Sequence, residues 1–395
     1  MHTDERGFRT ILFVELLGGI GDLLMALPAI HALHRSHSGS RVSVFTFAPG
    51  GELLEMDPEV AEVIYARRGP RVGDSGPPAK RDLAELLATR SFDLVVSDTR
   101  YARMHEVVEA NAAGCAVTHL WLGAGRDEPV ERLFLRRLVE EGVVEERFAT
   151  APLRLPVGSE EETWAADWWT ANGLPEGVCD EPAAPPLADA ASETGTAPAP
   201  TQGKEARALR SQAKSRSWSR RDVVALNPHS GMPIKRWPTE HFVELGRLLR
   251  QAGRPVAVLA GEQPALAEEV AKKVPGIVVV PPVPLRRLAG LLAGLGAFVS
   301  TDTGPAKLAA AVGTPVIGIF GPTWAGRYGQ PPPSVNLQSP LDCPELDPLN
   351  FTLQRCWYSG QCIFAGKRNC CEDVRPEAVL AAVEGALARW TATPS

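Results

Sequence analysis

The chain has no uninterrupted apolar run of about 18 residues, the length that a membrane-spanning helix needs. Its first residues, MHTDERGFRT, are polar and include acidic residues where a secretory signal carries an apolar core. A soluble, cytoplasmic protein is therefore expected, with peripheral membrane contact left open. Positive charge is not in excess either: 41 Lys and Arg stand against 47 Asp and Glu, a net charge of -6. A nucleic-acid partner normally requires a basic face, so none is expected. Cysteine is sparse, seven in 395 residues, and without an export signal disulfides are not expected to persist. Five of the seven (Cys343, Cys356, Cys362, Cys370, Cys371) crowd into the last sixth of the chain. They lack the paired CxxC spacing of a zinc site, so the favoured reading is buried or loop-packing thiols, with a metal or redox role as the alternative.

What is present is a repeated alternation of apolar strand-like runs and helical patterns. In the first half the runs are 10–17, 42–47, 63–66 and 93–98, with a helical pattern at 81–90. In the second half they are 222–228, 255–261, 276–282, 297–302 and 315–321, separated by short helical segments and followed by a helix over 375–390. Alternation of this kind implies parallel sheets covered by helices on both faces, an α/β fold. Between the halves, residues 180–221 lose their large apolar side chains and fill with Pro, Ala, Ser and Thr. Such a stretch cannot offset its ordering entropy by burial and reads as a linker. The expected organisation is an N-terminal domain at 8–179, the linker at 180–221 and a C-terminal domain at 222–392, two doubly wound Rossmann-like domains facing a cleft. Ligands of such sheets bind outside the carboxyl ends of the strands.

Three loops at expected strand ends carry candidate chemistry. In GGIGD, Gly18, Gly19 and Gly21 allow a sharp turn and close approach to a ligand, and Asp22 opens the following helix as an N-cap or as a reactive carboxylate. A dinucleotide fingerprint is a poor match, because Leu24 stands where its third glycine belongs. In STDTGPAK, Thr303 and Gly304 present a hydroxyl and an open backbone at a helix N-terminus, which favours anions. Asp302 beside them suits sugar hydroxyls or capping. In NPHSGMPIKRWP, Ser230 and the Gly231 amide offer donors and Lys235 a point charge, so the group fits a nucleoside diphosphate. Gly321, Pro322 and Thr323, at the end of another strand, are expected to complete the phosphate cradle.

In order and combination, GGIGDLLMALPAI (18–30), NPHSGMPIKRWPTEHF (227–242), VSTDTGPAKLAAAVGTPVIGIFGPT (299–323) and RCWYSGQCIFAGKRNCCEDVRPEAV (355–379) resemble glycosyltransferase family 9, the family of the ADP-heptose:lipopolysaccharide heptosyltransferases. The resemblance implies a GT-B architecture with the acceptor on the first domain and the donor on the second. It implies Asp22 as general base, Lys235, Thr303 and Gly304 on the donor diphosphate, and Glu262 on the ribose. It implies one inverting displacement from a nucleotide-sugar donor, ADP-linked, with no cofactor and no metal. Two departures are visible. Lys307 stands where the family commonly has histidine, either adding charge near the phosphates or lying along the helix surface. Glu15 and Leu16 precede the glycine loop where many members carry a basic residue. The expected acceptor is therefore not the acidic lipopolysaccharide core but a small-molecule glycoside or another envelope glycan. The alternative from a different class is a non-catalytic nucleotide-sugar binding protein of the same fold; retention of Asp22 beside Lys235 argues against it.

Overall fold

The computed structural model describes residues 7–69, 76–174, 177–178, 217–364 and 369–392. Five parallel strands, β1 (Thr10–Val14), β2 (Arg41–Thr46), β3 (Glu62–Tyr65), β4 (Leu94–Ser97) and β5 (Cys115–Val117), form a first sheet in the order β3-β2-β1-β4-β5. A short antiparallel pair, β6 (Gly177–Val178) with β7 (Ser217–Trp218), follows. The second sheet has six parallel strands, β8 (Val224–Asn227), β9 (Val256–Leu259), β10 (Val278–Val280), β11 (Ala297–Thr301), β12 (Val316–Phe320) and β13 (Val335–Gln338), in the order β10-β9-β8-β11-β12-β13. Most of the expected linker lies outside the described residues; 217–221 hold β7 and the start of a short 3-10 turn.

The helices are α1 (Ile20–Ser36), α2 (Gly76–Thr89), α3 (Met104–Asn111), α4 (Val130–Glu140), α5 (Ser159–Ala171), α6 (Thr239–Gln251), α7 (Pro264–Lys273), α8 (Leu285–Leu292), α9 (Gly304–Ala311), α10 (Ala325–Tyr328), α11 (Arg355–Ser359) and α12 (Pro376–Ala392). The central strands are apolar because both their faces are covered: Ile11 to Val14 and Val224 to Leu226 have no exposed surface. In each sheet the chain first winds outward from β1 or β8 and then jumps to the other side, to β4 or β11. Those two gaps are the switch points where open sheets hold ligands.

The two domains share a core. One apolar cluster runs from Ile11 and Phe13 through Leu24 and Leu27 of α1 to Ala306 and Leu308 of α9 and on to Phe298. Helix α5, counted by sequence with the first domain, lies against α8 of the second. There the Trp169 indole donates to the Leu291 carbonyl at 3.3 Å, and the Leu155 amide to the Ala311 carbonyl at 2.8 Å.

Candidate active site

The loops leaving β1, β8 and β11 open onto one cleft of about 970 Å3, the size of a site for a small ligand. From the first domain Gly19, Ile20, Gly21 and Asp22 line it; from the second come Ser230, Gly231, Lys235, Glu262, Asp302, Thr303, Gly304 and Lys307. Sequence reasoning placed all of these but Ile20 in the site, and the structure brings them to one cavity.

The glycine loop is built around Asp22. Gly18 has φ +89, a left-handed backbone that only glycine adopts without strain, and Gly19 is the N-cap of α1. A Cβ on Gly19 would lie 2.4 Å from an Asp22 carboxyl oxygen, so the carboxylate folds back over a position that must be bare. There it accepts a hydrogen bond from the Gly19 backbone, which makes it a cap as well as a cleft group. Its pKa is pushed up to about 6, first by burial and then by the Asp302 charge, against the opposing pull of Lys235, the Gly19 backbone and Lys307.

Opposite, the N-terminus of α9 meets that of α1. A Cβ on Gly304 would stand 3.1 Å from the Ile20 Cβ, and one on Gly21 3.7 Å from the Gly304 Cα. Pro305 has no N–H, and the amides of Ala306 and Lys307 are taken by the Thr303 carbonyl, which leaves the Gly304 amide as an open donor among the described residues. The Thr303 hydroxyl is fixed by Asn227 at 3.3 Å and Ser300 at 2.9 Å. The Lys235 ammonium donates to Asp302 at 3.2 Å and lies 5.6 Å from the centre of the Trp357 ring. Ser230 is fully buried, and its hydroxyl accepts from the Met232 amide at 3.4 Å. Glu262 is the outlying member: its side chain is 89% exposed, 4.0 Å from His229.

Three expectations change. The 321–323 loop does not line the cleft. Instead the Pro322 carbonyl accepts from buried Gln354 at 2.8 Å, and Gly321 packs under Cys370 and Cys371. Lys307 is not on the helix surface: its side chain is 2% exposed and its ammonium spans the domains, 2.6 Å from Glu131 of α4 and 3.1 Å from the Gly329 carbonyl. Glu15 and Leu16 are buried beneath the loop and do not line the cleft. Glu15 holds the loop from below, accepting from the amides of Leu17 (2.8 Å) and Gly18 (3.2 Å) and from the Thr46 hydroxyl (2.8 Å). The basic residue at this loop is Arg68, whose guanidinium donates to the Gly18 carbonyl at 3.0 Å.

Sequence reasoning also missed a buried acidic group. Burial, then the Asp22 charge, pushes Glu15 up to about 7, and burial, then Glu15, lifts Asp98 at the end of β4 well above the carboxylate range. A cue was the acidic residue ending each of two apolar strands that pair side by side, TILFVE and DLVVSD.

Comparison with known proteins places these features. Residues 187–341 match the model described as Glycosyltransferase family 9 (heptosyltransferase). Lipopolysaccharide heptosyltransferase 1 of Escherichia coli (strain K12) is 36% identical over 97 residues, which cover 24% of this chain and 30% of that protein. The alignment thus spans about a third of that relative's length. Among solved structures, the glycosyl transferase family 9 protein of Veillonella parvula DSM 2008 superposes with a TM-score of 0.72 at 16% identity, covering 98% of this chain and 100% of the other. The E. coli ADP-heptose lps heptosyltransferase II does so with a TM-score of 0.61 at 15% identity, covering 97% and 100%. At these identities the structural likeness is one of fold, and the fold is GT-B. Residues 187–341 of this chain are therefore similar to the glycosyltransferase family 9 (heptosyltransferase) model, and the chain has the GT-B fold of these solved structures.

Proposed function

We propose that the protein is an inverting glycosyltransferase that moves a heptose-type sugar from an ADP-linked donor to an acceptor hydroxyl. The observation that carries this reading is the meeting of two switch-point loops across one cleft, a poised carboxylate on one side and a lysine near the open Gly304 amide on the other. Asp22 takes the acceptor's proton as its oxygen attacks the anomeric carbon, and the proton stays on the carboxyl group. The bond from that carbon to the donor phosphate breaks with its electron pair leaving on the diphosphate. Lys235 and the Gly304 amide stabilise the growing charge, the task that a divalent ion performs in other transferases, so the transfer step itself is metal-independent. Attack opposite the leaving group inverts the anomeric configuration. Ser230, Gly231, Asp302, Thr303 and Glu262 hold the donor, and no cofactor takes part.

On the acceptor side Glu52 and Asp22 line the cleft. Acidic lining favours a neutral glycoside or envelope glycan over a phosphorylated core. The donor class places the reaction in the cytoplasm, where nucleotide sugars are made. Among the described residues no helix is long and apolar enough to cross a membrane.

The test is ADP release from ADP-heptose, with and without a panel of neutral and phosphorylated glycosides, and with product analysis by mass. Acceptor-dependent ADP release with a heptosylated product is expected. Donor binding with neither hydrolysis nor transfer across the panel would favour the non-catalytic binding protein instead.

A further inference from the structure

The cleft has an aromatic end that the mechanism above does not use. Tyr328, Phe351 and Trp357 line it. Tyr328 closes α10, downstream of β12, and is 6% exposed. Phe351 and Trp357 stand three residues to either side of Gln354, whose buried side chain donates to the Pro322 carbonyl at 2.8 Å. That bond ties the tail to the loop after β12 and brings the three rings together. Tyr328 and Phe351 meet edge to face with centroids 5.2 Å apart, and Phe351 and Trp357 lie 4.2 Å apart at 41°. Mutual packing would be reason enough for the cluster if it were closed off. Phe351 and Trp357, however, are only half-buried at the cleft.

Strand order says what lies against this wall. Glu262 follows β9, Lys235 follows β8, Asp302 to Gly304 follow β11 and Tyr328 follows β12, and these strands neighbour one another in that order. With the nucleoside at Glu262 and the diphosphate at Lys235, the sugar beyond the diphosphate falls on the β12 side. The Lys235 ammonium, 3.2 Å from Asp302, is also 5.6 Å from the centre of the Trp357 ring. Burial pushes the Tyr328 phenol up, and the Asp302 and Asp22 charges add to that push against Arg327, so the ring lies within the field of both carboxylates. All three rings belong to the second domain, whereas Asp22 and Glu52 line the cleft from the first.

We propose that Tyr328, Phe351 and Trp357 form the platform against which the apolar C–H groups of the transferred sugar ring pack, and that they thereby help to select the sugar. This platform presupposes the nucleotide-sugar donor proposed above. A sugar ring joins patches of C–H groups to a rim of hydroxyls. Aromatic rings cover the first, and Asp302 beside them can accept from the second, the mixture of broad apolar lining and few polar groups that fixes a ligand's orientation.

Calorimetry of the full chain with ADP and with ADP-heptose separates the sugar's contacts from those of the nucleotide. Trp357→Leu should weaken ADP-heptose binding by about 2- to 12-fold, the span of one aromatic contact, and leave ADP binding unchanged. Trp357→Phe, which keeps a ring, should bind both ligands nearly as wild type does. Equal loss for both ligands in Trp357→Leu would mean that the indole acts only through Lys235, and overturns the proposal. Unchanged affinity for both overturns it too, and a raised acceptor KM in that case would make the rings an acceptor surface instead. Should Trp357→Leu misfold by circular dichroism, NMR of the wild type supplies the second readout: saturation of aromatic protein protons should pass to the C–H protons of the bound heptose ring. Saturation that leaves those protons untouched overturns the proposal. Wild type that binds neither ADP nor ADP-heptose ends the donor reading and the platform together, whereas the other adverse results end the platform alone.

Discussion

At the scale of single residues the proposed mechanism turns on Asp22, whose carboxyl is pushed up to about 6. A general base works ionised, so kcat/KM should rise with pH through about 6 and level above it. The neighbours set where that limb falls. Lys235 lowers the value and Asp302 raises it, so Lys235→Ala should move the limb to higher pH and Asp302→Asn to lower pH. Equal limbs in all three proteins, measured with a saturating acceptor, would remove Asp22 from the rate. Asp22→Ala should cut kcat by roughly 100- to 10,000-fold, the usual worth of a positioned base, with donor affinity by calorimetry almost unchanged. Lys235→Ala should weaken donor binding as well, by about 1.5–3 kcal/mol for a lost charge-assisted contact. Asp22, Lys235, Thr303 and Gly304 were legible because each stands in a short polar loop between strong periodic runs. Glu15 was legible as a residue but not as a support, because its side chain turns under the loop that it precedes.

Among elements, bare backbone decides how closely helices approach. Gly290 of α8 faces the α5 backbone, and a Cβ there would lie 2.6 Å from the Glu161 carbonyl oxygen. Alanine favours helix over glycine by about 1 kcal/mol, but this clash is with backbone, which cannot swing aside. Gly290→Ala should therefore destabilise by about 1–3 kcal/mol in urea unfolding, the range for overpacking. Gly294, with open space around its missing Cβ but φ +78, is a less informative comparison. A neutral or stabilising Gly290→Ala would show that α5 moves freely against α8. The central strands were readable as apolar runs, since burial on both faces leaves little room for polar residues. Strands β5 and β13 were not: CAV and VNLQ are short and partly exposed at sheet edges. The 321–323 loop shows the limit of local pattern. It has the same glycine-and-hydroxyl signal as the loop after β11, but it follows β12, one strand away from the switch point, and the tail covers it through Gln354.

At the scale of the whole molecule, the shared core sets how far the halves can move. Relative domain motion is the default unless the interface is large and apolar, and here one apolar cluster passes through both domains. Polar cross-ties add to it: Arg286 to Glu161 at 2.7 Å, the Trp324 indole to Asp127 at 2.7 Å, and Lys307 to Glu131 at 2.6 Å. The last is the buried one, with side chains 2% and 10% exposed. A buried pair adds little over apolar residues of equal volume, whereas removing one partner strands the other charge at a cost of about 3–5 kcal/mol. Lys307→Met and Glu131→Leu should each destabilise by that order in urea unfolding. The double substitution should cost far less than the sum, because neither charge is left alone. Strict additivity in that cycle would mean that the two side chains do not meet in solution, and that Lys307 is left to the cleft, where its charge acts on Asp22. Coupling, by contrast, makes Lys307 a strut between α9 and α4. The start of α9, at the cleft, would then be anchored to the first domain even before any ligand enters.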